Sequence, residues 1–73
     1  MSVIRFSFDI KQLVTYHEGP ANTRCLVGAV VAREAYETAS GRTNFYYVRW
    51  ILPDGGVSRE LERFHEWELA AYE

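Results

Sequence analysis

The sequence predicts a mainly β domain, and three observations carry that expectation. Turn-forming clusters divide the 73 residues into short segments. The segment Asn44-Phe45-Tyr46-Tyr47-Val48-Arg49-Trp50-Ile51-Leu52 is aromatic and β-branched throughout, as strands prefer. The segment Cys25 to Arg33 is rich in valine and small residues, fitting a strand that is apolar on both faces in its middle.

Taken in order, Val3, Ile4, Phe6 and Phe8 are available to pair or pack ahead of a first strand within Ile10 to His17, which offers Leu13, Val14 and Tyr16. Gly19-Pro20-Ala21-Asn22 is the first loop, followed by the strand from Cys25 to Arg33, where Gly28 permits a bend or bulge. That strand continues through Glu34 to Glu37 as a more polar hairpin arm. Ala39 to Asn44 reads as the second loop. Residues 44 to 52 form the next strand, with Tyr46, Val48, Trp50 and Leu52 on a core face and Phe45, Tyr47, Arg49 and Ile51 on a mixed one. Pro53-Asp54-Gly55-Gly56 turns the chain into a strand from Val57 to Leu61. Residues 60 to 72 fit either one helix, with Leu61, Phe64, Leu69 and Tyr72 near one side, or a helical turn around Phe64 to Trp67 and a last strand from Leu69 to Tyr72. The second is favoured.

Size and composition bound the rest. The chain suits one domain spanning residues 1–73, near the lower limit for folding without help. With 48% hydrophobic and 25% charged residues it has globular composition. Two Trp, five Tyr and four Phe supply the bulk of a small core. Cys25 is the single cysteine, and no signal-peptide pattern opens the chain, so the expected setting is reducing and cytoplasmic. No stretch approaches the roughly 20 apolar residues a membrane helix needs.

The formal net charge is −2, and Glu60, Glu62, Glu66, Glu68 and Glu73 make the end of the chain acidic. All basic residues except Lys11 are arginine, scattered without a basic stripe. Nucleic-acid binding is therefore not indicated by charge, because phosphate neutralisation supplies most of such affinity.

Tyr46-Tyr47-Val48-Arg49-Trp50 resembles the Tyr-Tyr-Leu-Lys-Trp strand of chromodomains, and Phe64-His65-Glu66-Trp67-Glu68-Leu69 is similar to the aromatic, acidic and leucine ending of chromo, Tudor-like and other SH3-like barrels. Leu26-Val27-Gly28-Ala29-Val30-Val31 resembles the glycine-containing second strand of small SH3-like proteins, among them short phage and prophage products. The resemblance covers roughly residues 10 to 72. It implies a small five-stranded SH3-like barrel with a short helical turn near the C-terminus. The alternative is a three-stranded antiparallel sheet with a C-terminal helix. Chromodomains hold a methylated ammonium in an aromatic cage. Of the cage positions only Trp50 matches; the others fall on Pro53 and near Val27 or Gly28, so methyl-lysine reading is not carried over.

Candidate chemistry is thin. His65-Glu66-Trp67-Glu68 opens like a zinc-protease helix, but Leu69 stands where the second histidine belongs. Cys25, His17 and His65 are too few and too dispersed for a structural zinc site, and Cys25 is expected to be a buried small hydrophobe. The glutamates read as solvated surface, since paired catalytic carboxylates need one desolvated member. The reading is a non-catalytic binding module without cofactor, an accessory protein of bacterial or phage origin with a protein or peptide partner. A nucleic-acid-binding barrel and a self-associating structural protein are the alternatives. Tyr47 and Arg49 lead the candidate contact residues, because aromatic and arginine side chains dominate interface hot spots. Tyr36 and Trp67 extend the strip, and Trp50 joins them through the cage resemblance.

Overall fold

The computed structural model describes residues 5–18 and 24–72. The expected loop Gly19-Pro20-Ala21-Asn22 and the packing residues Val3 and Ile4 lie outside the described residues. Among the described residues five strands form one antiparallel sheet: β1 (Leu13–Glu18), β2 (Arg24–Thr38), β3 (Gly41–Trp50), β4 (Glu62–His65) and β5 (Ala70–Ala71). A single 3-10 turn, Glu66–Glu68, stands between β4 and β5. The strand order is β4-β3-β2-β1-β5, so the two edge strands are neighbours in sequence. No pairing joins them among the described residues, so the five expected strands form a sheet that is not closed. The C-terminal region takes the turn-and-strand form rather than a helix.

One face of the sheet is apolar and wraps around the core. Val14, Val30, Tyr46, Val48, Phe64 and Leu69 are buried there with Trp50 and Phe8. Tyr46, Val48 and Trp50 alternate along β3 as the pleat requires. The aromatic rings meet edge to face, the arrangement their quadrupoles favour: Trp50 on Phe64 at 5.4 Å and 77°, Phe8 on Tyr46 at 5.1 Å and 72°. Leu52 is exposed instead of buried, because the strand ends at Trp50 and Leu52 opens the following turn.

Gly28 serves packing rather than bending. A Cβ there would fall 2.6 Å from Val48 Cγ1, 2.7 Å from Trp50 Cε3 and 2.8 Å from the Arg49 carbonyl oxygen. The irregularity of β2 lies instead at Val31, an extra residue between the pairs Val30–Val48 and Ala32–Tyr47. Beyond it, β2 and β3 run on as an arm joined at Ala39 and Ser40. The expected loop over residues 39 to 44 thus shrinks to two residues, with Arg42, Thr43 and Asn44 paired in the arm. A fifteen-residue strand rising about 3.3 Å per residue accounts for a longest dimension of 45 Å.

Pro53-Asp54-Gly55-Gly56 forms its turn. The Gly55 N–H donates to Leu52 O at 2.9 Å, Gly55 has φ +89°, and Asp54 Oδ1 accepts the Gly56 N–H at 2.8 Å. The strand expected from Val57 to Leu61 does not follow. Only Val57 bridges back, to Ile51, and regular pairing resumes at Val48–Glu62. Two residues of β3, Arg49 and Trp50, therefore face four, Ser58 to Leu61. Ser58 makes that mismatch tolerable: its Oγ accepts the Trp50 N–H at 2.9 Å and its N–H donates to Trp50 O at 2.8 Å.

The N-terminal segment lies against the core side of β3. Ser7 N–H donates to the Tyr46 hydroxyl at 2.9 Å and to Glu66 Oε1 at 3.0 Å, and Asn44 Nδ2 donates to Arg5 O at 2.7 Å. Arg33 donates to Phe8 O at 3.1 Å, with its guanidinium 4.5 Å from the centre of the Phe6 ring. Phe6 and Phe8 thereby cover Tyr46.

Candidate functional site

The opposite face of β3 and β4 carries the functional candidates. Pairing sets Phe45 across from His65 and Tyr47 across from Arg63. Since these pairs alternate with Tyr46–Phe64 and Val48–Glu62, in which Tyr46, Phe64 and Val48 are buried, all four side chains point outward. Phe6 and Phe8 lie on the far side, against Tyr46.

A continuous run of stacked groups crosses it. The Arg63 guanidinium sits 4.5 Å above Phe45, the Phe45 and His65 rings are 4.7 Å apart, and His65 and Trp67 stack at 5.6 Å with planes 15° apart. Trp67 is 81% exposed. Its placement comes from the 3-10 turn, whose two flanking glutamates are tied inward: Glu66 by Tyr46, Ser7 and Asn44, and Glu68 by accepting the His65 N–H at 2.8 Å. With both neighbours held, Trp67 is turned out.

The Glu68 bond also shapes the sheet edge. It occupies the His65 N–H, which faces away from β3, so a second strand laid along β4 would find that donor taken.

Two open cavities flank the run. One, of about 390 Å³, lies where β3 continues past the end of β4 and is lined by Arg42, Thr43, Asn44, His65, Glu66 and Trp67. The other, of about 380 Å³, is lined by Glu34, Tyr36, Phe45 and Arg63. Tyr36 is 58% exposed on the arm.

Glu66 is the electrostatic centre beneath. The Tyr46 hydroxyl, the Ser7 N–H and Asn44 Nδ2 all donate to its Oε1. Burial pushes the carboxyl up, but these donors outweigh it and hold Glu66 below its ordinary value of 4.5. Burial first, and then donation to Glu66, raise the Tyr46 hydroxyl above its ordinary 10.0.

The sequence-predicted residues divide. Tyr47 and Arg49 lie half-buried on the outward face, and Arg49 Nε is shut off from solvent with no hydrogen-bond partner among the described residues. Tyr36 and Trp67 are exposed and line the two cavities. Trp50 is 7% exposed inside the core, with its indole N–H donated to Glu62 Oε1 at 3.1 Å, and stands apart from the others. His65 and Arg63 were not singled out as contacts from sequence; the pairing of β4 with β3 brings them beside Phe45.

Cys25 is exposed rather than buried, because it points outward near the start of β2, directly across from His17. No hydrogen bond joins the two among the described residues. No three His, Cys, Asp or Glu side chains among the described residues gather as a metal site. No helix among them is long and apolar enough to cross a membrane.

No protein-family model, curated protein or solved structure matches the chain.

Proposed function

We propose that this chain is a small SH3-like, non-catalytic binding module that captures a protein or peptide segment on the outward face of β3 and β4. The observation that carries the reading is the Arg63–Phe45–His65–Trp67 run, ending in a tryptophan 81% exposed yet held flat against a histidine. Apolar ring surface left in water costs hydration free energy, and a ring already stacked on His65 loses less entropy when a partner covers it. The flanking cavities suit side chains projecting from an extended segment better than an enclosed small molecule, which is usually buried over most of its surface. The strand order and the 3-10 turn between the edge strands support the SH3-like reading. Cys25, single and exposed, fits a reducing cytoplasm, in keeping with an accessory protein of bacterial or phage type.

Peptide display against the wild-type chain, with Trp67→Ala as counter-target, tests this. The reading expects enriched peptides that bind wild type and lose at least about thirtyfold in affinity on the variant, the scale of a hot-spot tryptophan. Peptides that bind both forms equally would refute the site.

A further inference from the structure

We infer that the segment bound on this face is acidic, an inference that rests on the proposed peptide-binding reading. Composition argues the reverse, for a chain of net charge −2 with a glutamate-rich end would be expected to attract a basic partner. The structure changes where the charges lie. Glu62, Glu66 and Glu68 keep their charge, but each turns Oε1 to a donor off the outward face: the Trp50 indole, the Tyr46–Ser7–Asn44 group and the His65 N–H respectively.

The arginines of the outward face are not committed in this way. Arg63 and Arg49 bracket Tyr47 along one face, with Arg63 directly opposite it and Arg49 two residues further along β3. Neither forms an ion pair among the described residues, where the one ion pair is Arg33 with Asp9 at 3.8 Å on the other side of the sheet. Arg63 leans over Phe45, away from Arg49, as two like charges on diagonal positions would. Glu34 is the one carboxylate on the outward face of β2, β3 and β4; it lines the same cavity as Arg63 without pairing with it.

The outward face is thus positive on balance, on a molecule that is negative overall. A guanidinium lying on an aromatic ring keeps its in-plane N–H fork free for a carboxylate. A segment of alternating acidic and apolar residues matches this pattern. Glutamates would meet Arg63 and Arg49, and apolar side chains would meet Trp67, Tyr36 and the exposed edge of Phe45. A nucleic acid fits less well, since a run of phosphates needs more cations than Arg63 and Arg49 supply.

The test is fluorescence anisotropy at low salt with three labelled probes of about ten units, a length that spans a strand and its turn. One alternates Glu and Ala around a central Tyr, one has Lys for each Glu, and one is oligothymidine. The inference predicts that the Glu peptide binds at least about tenfold more tightly than the Lys peptide, the scale on which charge complementarity selects partners. The preference should vanish in Arg63→Glu and shrink in Arg49→Gln, both checked for an unchanged melting temperature. A Lys peptide that binds as well or better, and still needs Trp67, overturns the acidic assignment while the surface stands. Failure of the Glu peptide to bind at about millimolar concentration also overturns it. If display yields no Trp67-dependent peptide either, the surface reading falls with it. Oligothymidine outcompeting the Glu peptide would move the site to nucleic acid.

Discussion

The Tyr46 hydroxyl donates to Glu66 Oε1, joining the centre of β3 to the 3-10 turn and, through Ser7, to the N-terminal segment. The contact spans twenty residues of sequence and couples the buried ring to the turn that presents Trp67. Glu66 is therefore a positioning residue, and the behaviour of the turn follows its charge.

Replacing Glu66 with Gln keeps the shape and removes the charge. Hydrogen bonds to a charged group are worth roughly 1.5–3 kcal/mol, so the variant should lose about 1–2 kcal/mol in urea unfolding, with Tyr46→Phe losing a similar amount. The two losses should fall short of additive when combined, because they remove one shared contact.

The same contact sets a pH dependence. Glu66 is held below its ordinary value of 4.5, so its contribution is present above that pH and is lost as pH falls through the lower, folded-state value. Tyr46 is raised above 10.0, so its contribution is present below pH 10 and is lost as pH rises through its folded-state value. Melting temperature against pH should decline at both ends, and Glu66→Gln should remove the Glu66 share of the acid-side decline. An unchanged acid limb in that variant would remove Glu66 from the account.

Gly28→Ala sets a methyl against Val48, Trp50 and the Arg49 carbonyl at distances real Cβ atoms do not adopt. Overpacking of this kind costs about 1–3 kcal/mol. Chemical denaturation should show that loss, and the Trp50 emission should shift as its ring is displaced.

Trp50 and Trp67 should respond in opposite ways. Trp50→Ala removes a core ring, at about 3–5 kcal/mol, which is close to all that a domain of this size has to spare, so the variant should be largely unfolded by circular dichroism. Trp67→Ala should melt within a few degrees of wild type, since exposed substitutions usually change stability by under about 0.5 kcal/mol.

Lys11 has φ +74°, in the left-handed region, at the turn that brings its N–H to Val30 O at 2.7 Å. A non-glycine residue there costs about 1–2 kcal/mol, partly offset by the greater unfolded-state freedom of glycine. Lys11→Gly should thus raise stability by up to about 1 kcal/mol in denaturant titration.

Much of the β3 strand was legible in the sequence. Tyr46, Val48 and Trp50 alternate in a pattern that only a half-buried strand explains, and the structure buries all three. Gly28 could be flagged but not interpreted: a strand glycine signals either a bulge or a close approach, and only the position of Trp50 across the ladder decides between them. The segment after the Pro53 turn departs from the strand its sequence predicts for a related reason. Alternation from Val57 onward looks strand-like, but register is set by where Phe64 can reach the core, which inserts two unpaired residues before Glu62. The site was half visible. Tyr36, Tyr47, Arg49 and Trp67 are chemically conspicuous, whereas the roles of His65 and Arg63 arise from pairing between segments about twenty residues apart. The internal use of Glu66 was not visible either, because its bond to the Tyr46 hydroxyl spans twenty residues, whereas the Glu68 bond to the His65 N–H three residues back follows capping-box spacing.

The central claim is that the outward face of β3 and β4, with Trp67, is the contact surface. Amide chemical-shift mapping by NMR with a display-selected peptide tests it most directly. The account predicts the largest shifts at Phe45, Tyr47, Arg63, His65 and Trp67, with little change at His17, Cys25 or Val57. Shifts concentrated on β1 and the start of β2, leaving the 3-10 turn unmoved, would contradict it.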